Sequence, residues 1–330
     1  MPTHRQRAAA AAAETRSLFP TLPSRSGTDP TSYFYPYSSP LPVLPEASRH
    51  KLRSAVMEGD PFDIGINWQS YSYPQANSST PAERAPPVFF KNIMQSPPTN
   101  RILVLNTANE KKPGGDWEGG FLGLGAEESL ARRSNLVQTL SSTDPRNPQV
   151  ETYYPLPQTG GIYSPNTIVL RAGHEAEYSL WPECEWTAIS VVSVAAVRRP
   201  KVDETGSYSF SEERELQKEK MKTILRIAAW NGHINLVLGG FGSCGPGTGI
   251  GDGHHPGYPS NQSPPSGSRN QTQALSASSS SYRNPVRDVC QLWQELLIET
   301  EEFKGYFSNC VFAVGGGENG GQEEFRKYFG

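Results

Sequence analysis

The sequence predicts a three-layer α/β domain, and three observations carry that reading. Five short runs rich in apolar residues lie between residues 101 and 314, and nearly continuous apolar strands are those covered on both faces, as in α/β sheets. Helical periodicities fall between the runs, so strands and helices alternate. Two of the runs lead straight into glycine-rich loops, the place where open α/β sheets hold ligands.

In chain order, "MPTHRQRAAAAAAETRSLF" is rich in Ala and Arg and has no acid before Glu14. Transit peptides share that bias, but alanine is also the strongest helix former, and we read the segment as a helix on the body of the protein. The rest, to about residue 85, is expected to be irregular. "PSRSGTDPTSYFYPYSSPLPVLP" is full of turn formers and exposed aromatics, a loop draped over a domain. The predicted strands are "RILVLN" (101–106), "NTIVLRA" (166–172), "TAISVVSVAA" (187–196), "INLVLGG" (234–240) and "CVFAV" (310–314).

The predicted helices show apolar residues on one face. Residues 126–140 carry Leu130, Leu136, Val137 and Leu140. Residues 212–231 carry Met221, Ile224, Leu225 and Ala228, with Gly232 as a stop. Residues 285–298 start at Pro285 and place Val289, Leu292, Trp293 and Leu296 together. Residues 246–284 have only three charged residues and almost nothing large to bury, so they read as a low-complexity insertion between a strand and its helix. The predicted organisation is an N-terminal helix with an irregular extension over 1–85, then one domain over 86–330 that contains this insertion.

Composition narrows the function. With 31 glycines, 29 prolines and 35% hydrophobic residues, the chain is an ordered domain diluted by long loops. A net charge of −3 supplies no bulk drive toward nucleic acid or anionic membrane, so neither is an expected partner, and a phosphate-bearing one must be held by a local site. No stretch of 18 apolar residues occurs, and no transmembrane helix is predicted. Cys184, Cys244, Cys290 and Cys310 form no CxxC pair, which suits reduced thiols in the cytosol or nucleus. His254–His255 lacks neighbouring carboxylate or thiol partners, and no metal or cofactor is expected.

The most informative stretch is "LVLNTANEKKPGGDWEGGFLGLGAEESLARRS", residues 103–134. It runs from a strand through a glycine loop into a helix, an arrangement that points backbone N–H groups and the positive helix end at an anion. Gly114, Gly115, Gly119, Gly120, Gly123 and Gly125 allow close approach to the main chain. Glu127 and Glu128 fall in the first helical turn. Two glutamates there also fit dipole stabilisation, worth ~0.3–1 kcal/mol each. A second loop, "LVLGGFGSCG" (236–245), again follows a strand. Neither loop has GxGxxG or GK[ST] spacing. Two such loops with a carboxylate pair suit a nucleotide diphosphate-sugar. A rival, "GGGENGGQEEFRKYFG" (315–330), reads as a glycine turn into a short closing helix, because only six residues follow Glu324.

"LNTANEKKPGG" joined to "GAEESLARRSNL" resembles the microbial (bacterial and fungal) type of poly(ADP-ribose) glycohydrolase. "YYPLPQTGGIYSPNTIVLR", "ISVVSVAAVRRP", "ILRIAAWNGHINLVLGGFGSCG" and "NPVRDVCQLWQELL" are similar to further segments of that family in the same order, over roughly residues 98–315. The resemblance implies a macrodomain-like three-layer α/β/α sandwich with a mixed sheet. It implies Glu128 as catalytic acid, Glu127 as a holder of the reacting ribose, and Asn109 directed at the distal ribose. It implies a diphosphate loop at Gly239, Gly240, Gly242, Ser243, Cys244 and Gly245, with Tyr163 in a segment bordering the ligand. Gly114, Gly115, Gly119, Gly120, Phe121 and Gly125 fall in the ligand-facing loop. Three positions depart from the family pattern. Asp116 replaces the third glycine of a triplet, nine residues separate it from Ala126, and Ala126 replaces a glutamine.

The activity the resemblance implies is hydrolysis of O-glycosidic ribose linkages in poly(ADP-ribose) or in terminal or mono-ADP-ribose on protein; a monomer is expected. The alternative is a non-catalytic macrodomain that reads ADP-ribose.

Overall fold

The computed structural model describes residues 3–72, 97–119, 125–243, 284–315 and 321–330. Seven strands form one mixed sheet: β1 (Tyr33–Tyr35), β2 (Arg53–Glu58), β3 (Ile102–Thr107), β4 (Gly161–Val169), β5 (Thr187–Val194), β6 (Asn235–Gly239) and β7 (Asn309–Val314). Their order across the sheet is β1-β4-β5-β3-β6-β7-β2. β1 and β4 run antiparallel to their neighbours, whereas β5, β3, β6, β7 and β2 are mutually parallel. The carboxyl ends of the parallel strands therefore share one edge, and the loops after β3 and β6 leave that edge side by side.

Helices cover both faces. On one lie α6 (Ser211–Trp230), α7 (Val286–Gln294) and α8 (Gln322–Phe329). Met221, Ile224, Leu225, Trp293, Phe325 and Phe329 pack there against Leu103, Leu105, Val192, Leu236 and Phe312. On the other lie α3 (Pro61–Ser72), α4 (Ala126–Arg133) and α5 (Leu136–Leu140). Phe62, Leu130, Leu136 and Leu140 meet Ile102, Val104, Ile189, Val191 and Val237 there. Alternate residues of β3 and β5 thus supply two cores, which is why both strands are rich in apolar residues on each face. The three-layer expectation holds.

Three expectations are corrected in detail. The segment read as an irregular N-terminal extension supplies both edge strands, β1 and β2, as well as α3. Five of the six β2 residues are exposed, so this edge strand has no apolar run. Residues 126–140 are two helices because Ser134 is extended and bridges Val169. β4 begins at Gly161, earlier than the apolar run alone suggests, and its register shifts between Ser164 and Thr167.

The alanine-rich segment is α1 (His4–Leu18), opened by a capping box in which Thr3 and Gln6 exchange side-chain-to-backbone hydrogen bonds. Ala8, Ala11, Ala12 and Thr15 form its buried face. It packs on α4 and on the glycine loop. Phe19 stacks on Trp117 at 6.1 Å, and the Arg16 guanidinium lies 5.3 Å from the Trp117 ring and pairs with Glu118 at 2.8 Å.

Candidate active site

The loop after β3 is shaped by two left-handed glycines, Gly114 at φ +72° and Gly115 at φ +57°. Asp116, where the family motif has a third glycine, has no positive φ, so the turn is complete without it. Lys112 pairs with Asp116 at 3.8 Å. Gly119, at φ +115°, lies so close to α1 that a Cβ there would approach Ala9 Cβ to 2.7 Å. Gly125 is the N-cap of α4, and its carbonyl accepts the Ser129 N–H at 2.9 Å. Gly120, Phe121 and Gly123 lie outside the described residues.

Glu127 and Glu128 occupy the first turn of α4. Glu127 is buried, and both of its oxygens accept N–H groups. Asn109 N donates to Oε2 at 2.7 Å, while Gly114 N and Asn106 Nδ2 each donate to Oε1 at 3.3 Å. Glu128 accepts the Asp116 N–H at Oε1, 3.3 Å away. Its carboxylate sits between two glycines: a Cβ on Gly115 would stand on Oε1, and one on Gly125 would stand on Oε2. The glycines thus make room for an acid as well as for a ligand.

Burial is the main cause that raises both carboxyls. Glu127 is pushed up to about 8, with the charge of Glu128 adding to the effect and its N–H donors opposing it. Glu128 is raised too, with the Asp116 N–H and the Arg132 charge opposing. Two adjacent carboxyls of this kind titrate as a pair. Both oxygens of Glu127 face N–H donors, which favour its charged form against burial, whereas the Asp116 N–H reaches Oε1 of Glu128.

Asn109 stands in the site, but by its main chain. Its N–H anchors Glu127, while its side-chain oxygen accepts Lys111 N at 2.8 Å and Lys112 N at 3.3 Å, closing the start of the loop. Tyr163 is not brought to the pair. It is buried among core residues, and its hydroxyl hydrogen-bonds His233 Nε2 at 2.7 Å, toward the opposite end of the sheet from the glutamates. A residue the sequence reading did not single out joins the site: Asn106, fully buried at the end of β3, donates to Glu127 and, at 3.1 Å, to Ser193 Oγ. An amide closing an otherwise apolar strand run is the signal that marks it.

The second loop leaves β6 at Gly239. Ser243 N donates to Gly240 O at 2.9 Å, and Phe241 and Gly242 between them have φ +41° and +85°, a tight turn on the same sheet edge. Cys244, Gly245 and His254–His255 lie outside the described residues. Among the described residues no group of three His, Cys, Asp or Glu side chains is placed to hold a metal. The rival glutamates lie on α8. Glu323 is exposed and Glu324 pairs with Lys327 at 2.6 Å, while Phe325 and Phe329 anchor the helix, so no buried acid forms there. A cavity of about 380 Å³ opens at the β1 edge among Tyr35, Tyr37, Arg146 and Trp230, with neither glutamate in its wall. Its Arg146 and Asp144 are already paired.

Residues 88–172 match the family described as microbial-type PARG, catalytic domain. The structure is similar to that of poly(ADP-ribose) glycohydrolase from Thermomonospora curvata, with a TM-score of 0.60 at 17% identity, covering 98% of this chain and 99% of that one. The same enzyme bound to the inhibitor ADP-HPD gives 0.56 at 17% identity, covering 97% and 98%. The Deinococcus radiodurans glycohydrolase in complex with ADP-ribose gives 0.55 at 18% identity, covering 94% and 97%. At these identities the likeness establishes the fold. No protein of curated function matches the chain in sequence. The chain thus resembles the microbial-type poly(ADP-ribose) glycohydrolases in sequence over residues 88–172, the segment that holds Glu127 and Glu128, and the solved glycohydrolase structures in fold.

Proposed function

We propose that the protein hydrolyses O-glycosidic ribose linkages of ADP-ribose, in poly(ADP-ribose) or in terminal or mono-ADP-ribose on protein. The observation that carries this is the Glu127–Glu128 pair. One carboxyl is fixed by three N–H donors. The other, Glu128, lies between Gly115 and Gly125 at the mouth of the loop, where burial raises its pKa.

A protonated Glu128 gives its proton to the leaving oxygen at the ribose anomeric carbon as that bond breaks. The oxocarbenium-like state forms beside Glu127, which orients the ribose, and the ligand's own diphosphate. Water then adds at the anomeric carbon and returns a proton to Glu128. The β6 loop, a neighbour of the β3 loop on the same edge, receives the diphosphate. A purely reading macrodomain is not favoured: binding alone has no use for a buried acid whose charged form is penalised.

The test is incubation of the protein with poly(ADP-ribose) and, separately, with mono-ADP-ribosylated protein. Release of ADP-ribose from either supports the assignment and identifies the substrate. Binding of ADP-ribose without release from either makes the protein a reader.

A further inference from the structure

We infer that Gln217 and Asn284 are positioning residues that hold the β6 loop in the shape that receives the diphosphate; this rests on the function proposed above. The loop carries an unusual conformation. Phe241 has φ +41°, a region that disfavours any residue with a Cβ. Two buried amides and an aromatic anchor keep it there.

Gln217, fully buried on α6, bridges two chain segments. Its Oε1 accepts Val197 N at 2.8 Å, and its Nε2 donates to Phe241 O at 2.9 Å. Asn284, also buried, takes the other half of the same residue: its Nδ2 donates to Val197 O at 2.9 Å, and its backbone N donates to Gly242 O at 3.0 Å. Tyr208 OH donates to Asn284 Oδ1 at 2.8 Å and fixes which way that amide faces. The Phe241 ring is buried, 6.2 Å from Trp293.

The consequence follows from peptide geometry. A trans peptide is planar, so its carbonyl and the next N–H point in opposite directions. Turning Phe241 C=O inward to Gln217 turns Gly242 N–H away from the core, where an anion can accept it. The side-chain amide of Gln217 offers an acceptor for Val197 and a donor for Phe241 at once. The Asn284 backbone bond to Gly242 O ties the chain entering α7 to the β6 turn.

The test compares wild type with Gln217→Met and Asn284→Leu, which keep similar shape but lose the side-chain amide. Asn309→Ala serves as the control, breaking a pair with Asn235 at the opposite end of the parallel strands. Kd for ADP-ribose by calorimetry, kcat, KM and Tm are measured for each. The clamp predicts Kd and KM raised at least fivefold beyond the control at comparable loss of Tm, with kcat within threefold of wild type, because the reacting ribose lies at Glu128. A smaller rise, or kcat lost in step with Tm, overturns it. Wild type that fails to bind ADP-ribose refutes the functional reading itself and the clamp with it; binding by wild type separates the two failures.

Discussion

Glu128 shows what the glycines beside a glutamate pair are for. Gly125 has φ −72°, which any residue adopts, so its need for glycine is contact with the Glu128 carboxylate rather than backbone freedom. Gly125→Ala is therefore expected to fold as stably as wild type, by thermal melting, while kcat falls by ~10²-fold because the acid is displaced. The pair also sets a pH dependence. A buried carboxyl whose folded pKa is raised contributes full stability below its unfolded pKa and loses it as pH rises through the folded one. For Glu127 that interval runs from 4.5 to about 8. His233, pushed down to about 4, no longer changes charge above pH 6.5, and Lys220, pushed down to about 8, acts above the interval. Tm is thus expected to fall between pH 6.5 and 8 in wild type and to fall less steeply in both Glu127→Gln and Glu128→Gln. A wild-type Tm independent of pH there contradicts the buried pair.

Helix α4 presents the acids, and its far end is tied down by charge. Arg133, fully buried, pairs with Asp60 at 2.6 Å and with Asp63, both at the start of α3, and its Nε donates to Arg171 O at 3.2 Å. Arg171 in turn donates to Thr15 Oγ1 at 2.8 Å and pairs with Glu14 at 2.5 Å, which draws α1 onto the same helix. Arg133 is buried while both carboxylates reach solvent, so removing it costs its packing and hydrogen bonds more than it strands charge. Arg133→Ala is expected to lose ~1–3 kcal/mol in urea unfolding; a loss below ~0.5 kcal/mol contradicts the anchoring role. The sequence displays α4 as a motif and a periodicity. It hides the partners, because Asp60 and Asp63 are ordinary polar residues until β2 and α3 bring them beneath α4.

Across the whole molecule, legibility follows burial. β3, β5, β6 and β7 are covered on both faces and stand out as apolar runs. β1 is three residues long and β2 mostly exposed, so the edges carry no pattern, and the N-terminal region looked irregular. At the site, the glutamates, the two left-handed glycines and the β6 loop were visible as motif and spacing. Asn106 and the main-chain role of Asn109 were not, because they depend on how the β3 loop folds back onto α4. Tyr163 lay in a family-like segment, yet the alternation of β4 turns its ring into the core beside His233. Sheet order decides the central point, by bringing the β3 and β6 loops to one edge with Glu128 beneath the first. The measurement that tests this most directly is turnover and ADP-ribose binding in Glu128→Gln. The account predicts a loss of ADP-ribose release of ~10²-fold or more, with Kd for ADP-ribose within a few-fold of wild type. Release at the wild-type rate contradicts it.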